Sequence, residues 1–420
     1  MSHVSTMATT QRLRWLVTHV ASGPSPTCED RHIEGDEEWG VLKTTAITWA
    51  GWNPHQHKVL PEQFWGIRGS EVQTGDVVVT KAGPRHRVGV AAYVDEAPRR
   101  LAVSGKMILL RPDPAVVDPR FLAWFLATPR PQAYLDACKT GMAESQMNFA
   151  NEDLLGLRVE LPPLDLQRSI ADFLDIETRK LDELVSKKLR LISLMEERIN
   201  SRVLEHVGTS QLVHPVTGNP VLPIRRVLNK VVRPAIAGEG IITAFRDGQV
   251  TERGRRRAEG YTQSASTEPQ GQHVQVGDVV VHGLDGFAGA IGTSEAQGNC
   301  SPVYHVCTPA NEGDARFLSR LLRLLALQGY LGNFAISTRE RAVDFRNWDL
   351  FGRIPVPFVP ALEQREIGNW ITKLRPLRAA VEQSKALAAE RRQALVTAVV
   401  TGQFDVTTAS GRNVTEGVSA

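Results

Sequence analysis

The chain is poor in cysteine, in long apolar runs and in net charge. Cys28, Cys138, Cys300 and Cys307 are its only cysteines. None forms a Cys-x-x-Cys pair and no histidine cluster completes a zinc set, which excludes a zinc finger and a disulfide framework. The four read as reduced thiols of a cytosolic protein. No apolar run reaches about 18 residues, so no membrane span is expected. The opening MSHVSTMATTQRLRW lacks the apolar centre of a signal peptide, and a cytoplasmic location follows as the expectation. Net charge is only +3, so local clusters of charge carry more information than the total.

Catalytic signatures are missing as well. There is no G-x-G-x-x-G turn, no G-x-x-x-x-G-K-[ST] phosphate loop, no H-E-x-x-H and no G-x-S-x-G elbow. An adenine methyltransferase needs a [D/N]-P-P-[Y/F/W] loop to grip the flipped base. The one Pro-Pro pair, Pro162-Pro163, follows Leu161 instead and reads as a strand stop before a helix start. Asp182, Glu183 and Lys187 lie on one long helical stretch and read as a solvated face. The acidic stretch CEDRHIEGDEEW lacks the alternation of a calcium loop. No catalytic, cofactor-binding or metal-binding residue is assigned.

What is present is a duplication. VQTGDVVV starts at Val72 and VQVGDVVV at Val274; DPRFLAWFL at Asp118 is echoed by DARFLSRLL at Asp314. NFANEDLLGLRVELPP from Asn148 is echoed by DFRNWDLFGRIPVPF from Asp344, and LDLQRSIADFL from Leu164 by ALEQREIGNWI from Ala361. The order is collinear and the offset stays between 196 and 202, as surface-loop insertions would leave it. A length of 420 residues suits two or three domains, and 42% hydrophobic with 23% charged residues suits globular cores.

Each half has the same expected layout. Gly75-Asp76 and Gly277-Asp278 turn the chain into Val77–Val79 and Val279–Val281, short buried strands by their unbroken apolar runs. Asp76 and Asp278 are read as turn residues. A helix follows (about 119–127 and 315–327), then a strand that ends in prolines. After each proline cluster the chain loses Gly and Pro, and apolar residues take helical spacing. Leu174, Leu181 and Met195 keep a seven-residue register with Lys188 as the odd member, and Leu184 and Leu191 supply the alternate position. Leu374, Val381, Ala388 and Leu395 keep the same period in the second half. This is a coiled-coil seam. A helix of about 40 residues spans about 60 Å and cannot bury its stripe alone, so the two are expected to pair antiparallel, with the modules at opposite ends. Pro376 predicts a bend or break near Arg375.

The expected fold class is therefore α+β, with two globular modules separated by two long antiparallel coiled-coil helices and related by a pseudo-two-fold repeat. The expected boundaries are a first module 1–162, a first helix 163–208, a second module 209–358, a second helix 359–405 and a flexible tail 406–420.

Basic residues supply the candidate binding surface. Lys81, Arg85, His86 and Arg87 crowd the Gly/Pro turn just after the first GDVVV strand. In the second half Arg246, Arg253, Arg255, Arg256 and Arg257 cluster upstream of the repeated strand. Arginine matches phosphate oxygens and guanine edges in two-point fashion. Gln146 and Asn148 in one half, and Gln263 and Ser264 in the other, are placed to read bases. The bland alternative for each cluster is a solubilising loop.

These residues carry a family resemblance. WGVLKTTAIT at Trp39, the two GDVVV strands, MNFANEDLLGLRVELPPLDLQRSIADFLD and AERRQALVTAVVTGQFDV resemble the specificity subunit of type I restriction-modification systems, from about Arg12 to Val406. The resemblance implies a non-catalytic DNA-recognition subunit. Each module would be a target-recognition domain reading one half of a split, asymmetric sequence in double-stranded DNA. The helices would set the gap and dock two methyltransferase subunits, and motor-nuclease restriction subunits would join them. No cofactor is expected on this chain; S-adenosylmethionine belongs to the methyltransferase partner, and ATP and magnesium to the motor-nuclease. The competing expectation is a coiled-coil interaction scaffold without sequence-specific DNA binding, which DNA affinity and its salt dependence distinguish.

Overall fold

A computed structural model describes residues 9–35, 37–49, 51–66, 69–207, 220–256, 271–334 and 344–406. The chain forms two compact units, 1–186 with 383–420, and 187–382. Their boundaries fall inside both long helices, Leu164–Val207 and Ala361–Val400, so each unit is one module plus half of each helix.

Both units are built on the same four-stranded antiparallel sheet. In the first the order is Val17–Ala21, Met107–Pro112, Val77–Thr80, Ala91–Tyr93; in the second it is Leu228–Lys230, Tyr304–Pro309, Val279–His282, Ile291–Thr293. The strand after Gly-Asp is central in each. Val77 and Val79 pack into one core with the helices, while Val78 packs into a second core on the opposite face with Met107 and Leu109. Val279 and Val281 against Val280 divide in the same way. A strand covered on both faces needs no polar alternation, which is why the triple valine reads as an unbroken run. A terminal ribbon closes each module: Thr9–Arg12 pairs with Arg158–Leu161, and Val221–Pro223 with Pro355–Pro357.

The echoed helices begin at equivalent caps. Asp118 accepts the backbone N–H of Arg120 and Phe121 at 2.8 and 3.2 Å; Asp314 accepts those of Arg316 and Phe317 at 2.9 and 3.1 Å. This is ordinary N-capping. The repeated Leu-x-x-Gln-Arg and Leu-Glu-Gln-Arg stretches explain themselves at the same place. Gln167 Oε1 accepts the Asp118 N–H at 2.9 Å, and its Nε2 donates to the Pro162 carbonyl at 2.8 Å. Gln364 makes the same bridge, from the Asp314 N–H at 3.0 Å to the Val359 carbonyl at 2.6 Å. Each glutamine ties the module helix to the mouth of the long helix.

Within each unit the long helices run antiparallel. In the first, Leu174 shares a core with Leu395, Val396 and Val399, Phe173 stacks on Phe404, and Asp182 meets Arg392 at 2.7 Å. In the second, Ile199 and Val203 share a core with Ile367 and Leu374, Glu196 pairs with Arg378, and Arg198 lies 5.5 Å from the Trp370 ring centre. Leu181, Met195, Val381 and Ala388 are half-buried, as the seam requires.

Two expectations are corrected. Leu184 and Leu191 are 49% and 53% exposed. The alternate seam position belongs to Thr178, Val185, Ile192 and Ile199, which share the same seven-residue period. Thr178 fits there because its hydroxyl donates to the Leu174 carbonyl at 2.7 Å. Nor does Pro376 break its helix, which continues from Ala361 to Val400. Pro376 and Thr372 both lie on the exposed side, where the Thr372 carbonyl deprived of its donor turns to water. Among the described residues, no helix is long and apolar enough to cross a membrane.

Candidate nucleic-acid interface

In the first unit the basic turn is assembled from two distant segments. Ala82–Gly83 pairs antiparallel with Met147–Asn148, with Asn148 opposite Ala82. This sets Gln146 and Asn148 beside the segment holding Lys81, Arg85, His86 and Arg87. Arg85–Arg87 form a 3-10 turn. His86, Gln146 and Asn148 are exposed and Lys81 half-exposed, so these four present polar groups at the edge.

The two arginines of the turn have other employment. Arg85 contacts Asp136 at 2.9 Å and Glu144 at 3.3 Å, and these carboxylates raise its pKa, the Asp136 hydrogen bond first. Lys139 joins them, donating to Asp136 at 2.9 Å and to the Arg85 carbonyl at 3.1 Å. Arg87 turns inward and donates to the carbonyls of Thr44 and Ile47 at 2.8 and 3.1 Å. It buttresses a neighbouring hairpin.

In the second unit the basic residues sit on a different element. Ile242–Ala244 and Val250–Glu252 form a hairpin, with Arg246 near its tip and Arg253, Arg255 and Arg256 at its exit. Arg246 and Arg255 keep 68% and 67% of their side chains exposed. Arg256 lies 4.4 Å from the Phe245 ring centre and pairs with Asp247 at 2.8 Å. Arg253 fixes the hairpin base through its N–H to the Ile241 carbonyl at 2.7 Å. Arg257, Gln263 and Ser264 lie outside the described residues. Arg246 also meets Asp285 at 2.9 Å, which brings the cluster against the arginine-free loop that follows the second GDVVV strand. Exposed ion pairs of this sort hold little energy, so each guanidinium is free to exchange its carboxylate for a phosphate.

One basic residue was missed. Arg346 is 56% exposed beside Asp344, and Phe345 donates to the Gly283 carbonyl at 2.7 Å. This places Arg346 where the Asn148 segment lies in the first unit. The echo of NFANEDL by DFRNWDL was the signal that could have found it.

No protein-family model matches the chain. The Escherichia coli type I restriction enzyme EcoEI specificity subunit is 32% identical over 176 residues, which is 42% of this chain and 30% of that relative. The chain is similar to type I specificity subunits. The match spans less than a third of the relative's length, 30%. The fold agrees. A chain from a study of complex assembly and conformational transition of the type I R-M system has a TM-score of 0.58 and 14% identity, covering 96% of this chain and 100% of that one. The type I restriction-modification S subunit from M. genitalium gives a TM-score of 0.48 at 15% identity, over 95% of this chain and 98% of its own. Asp118 with Gln167 and Asp314 with Gln364 make the same contacts in both halves; the basic edges differ between them.

Proposed function

We propose that the chain is the DNA-sequence-recognition subunit of a type I restriction-modification complex. One observation carries the reading: a duplicated scaffold bears basic, exposed edges on different elements in its two units. Readers that share a frame but differ at the edge address two unlike half-sequences, so the target is split and asymmetric. Lys81, His86, Gln146 and Asn148 would serve one half-site, and Arg246, Arg255, Arg256 and Arg346 the other. The long helices would dock two methyltransferase subunits, and the half-exposed Leu184 and Leu191 support a role for that surface. Chemistry would reside in partners, with S-adenosylmethionine on the methyltransferase and ATP with magnesium on the motor-nuclease. The complex would act in the cytoplasm.

Co-expression with the cognate methyltransferase, followed by genome-wide mapping of methylated adenines, tests this. A single bipartite, asymmetric motif is expected. Methylation without a sequence motif, or methyl transfer by the purified chain alone, overturns the reading. Exchange of residues 12–160 for another such module should alter one half of the motif only.

A further inference from the structure

The duplication allows the two units to be compared position by position. The helices Pro119–Leu126 and Ala315–Leu327 start at equivalent caps, Asp118 and Asp314, so Trp124 corresponds to Arg320 and Ala127 to Arg323. In the second unit Arg323 fills the space beside the helix. Its Nη2 donates to the Arg246 carbonyl at 3.1 Å, and its stem passes so close to Gly248 that a Cβ there would meet Arg323 Cδ at 2.6 Å. In the first unit the equivalent position carries only the methyl group of Ala127. The covering hairpin is also shorter, Ile47–Thr48 with Gly51–Trp52. A cavity of about 630 Å³ lies there with Ala127 in its wall, within the ordinary range of about 300–1,000 Å³ for ligand sites.

The chemistry of the wall is specific. Trp49, Trp52, Tyr93 and Trp124 line it, and Trp49 is 41% exposed. Asp95, Asp175, Asp182 and Glu183 stand against Arg120, Arg179 and Arg392, so carboxylates outnumber guanidinium groups. The cavity already accommodates one cation of its own. Arg392 lies 5.4 Å from the Trp124 ring centre and pairs with Asp182 at 2.7 Å. Stacking on an indole with a carboxylate at the edge suits the planar guanidinium better than a compact ammonium. Asp175 accepts from Trp124 Nε1 at 3.0 Å and from Arg120 at 3.2 Å, and burial still pushes its carboxyl upward.

We propose that this cavity receives an arginine side chain presented by a protein partner, taking the place that Arg323 fills from within in the second unit. The guanidinium would stack on the open face of Trp49 and pair with the carboxylate wall. The inference stands apart from the DNA reading, since it concerns neither basic edge.

The test uses the full chain labelled with 5-fluorotryptophan and titrated with N-acetyl-arginine amide, followed by fluorine NMR. Trp49→Phe assigns the reporting resonance. A saturable shift of that resonance is expected with the arginine probe and none with the uncharged citrulline isostere. Ala127→Arg, which supplies the second unit's side chain, should abolish the shift. Equal shifts with citrulline, no saturable shift with arginine, or undiminished binding in Ala127→Arg each overturn the proposal. Should Ala127→Arg not fold, Trp49→Ala on the exposed ring replaces it, read at Trp52: unchanged arginine affinity there overturns the proposal equally.

Discussion

Asp76 and Arg111 form a two-point ion pair beneath the first Gly-Asp turn, with Nε to Oδ1 at 2.8 Å and Nη2 to Oδ2 at 2.9 Å. Asp76 also accepts the Gln73 N–H at 2.7 Å, while Gly75 takes a φ of 99°. The second turn repeats the carboxylate but not its partner. Asp278 accepts the Gln275 N–H at 2.8 Å and pairs with Arg233 at 2.5 and 3.1 Å. By strand register, Arg111 corresponds to Thr308 and Arg233 to Gly23. The two arginines therefore reach equivalent aspartates from different segments, Arg111 from the adjacent strand Met107–Pro112 and Arg233 from the stretch just after Leu228–Lys230.

Removal of either arginine strands a buried carboxylate. Arg111→Met should cost about 3–5 kcal/mol in urea unfolding, and Arg233→Met should do the same in the second unit. Adding Asp76→Asn to Arg111→Met should recover much of the loss, because a neutral amide costs less to bury. A neutral result for Arg111→Met would show the pair to be incidental.

The glutamine bridges should be equally structural. Gln167 and Gln364 are 1% and 4% exposed, so truncation leaves an unpaired N–H and carbonyl. Gln167→Ala and Gln364→Ala should each cost about 1–3 kcal/mol by denaturant titration.

The two leucine registers should separate by experiment. Ile199, 3% exposed, should lose about 2–4 kcal/mol on replacement by Ala. Leu184→Gln should change stability by less than about 0.5 kcal/mol yet weaken methyltransferase association in a pull-down.

Salt dependence should distinguish DNA contact from buttressing. Arg246→Gln and Arg255→Gln should each lower the slope of log affinity against log salt by about 1. Arg87→Gln should instead lower the melting temperature, since its guanidinium holds the Thr44 and Ile47 carbonyls.

Thiol reactivity should split the cysteines. Burial pushes the Cys300 and Cys307 thiols up to about 12, whereas Cys28 and Cys138 are only half-buried. Thiolate fraction and access together govern reaction. A disulfide reagent at pH 8 should titrate two thiols in the native chain and four after unfolding.

The duplication, the buried triple-valine strands and the long helices were all legible in the sequence. Each is written in local order: repeated words, unbroken apolar runs and a seven-residue period. The choice between Leu184 with Leu191 and Val185 with Ile192 was not. Both series keep the same period on adjacent positions of one helix, and only the facing helix determines which is covered. Likewise Asn148 and Ala82 pair across 66 positions, and Arg87 looks in sequence like any other arginine of a basic turn. A long guanidinium side chain goes wherever carbonyls or carboxylates converge, and that convergence is set by strand register and packing. The sequence by itself determined the frame and its repetition. The tertiary structure decided which charges hold that frame and which face outward, because ion pairing acts over a few ångströms between segments far apart along the chain.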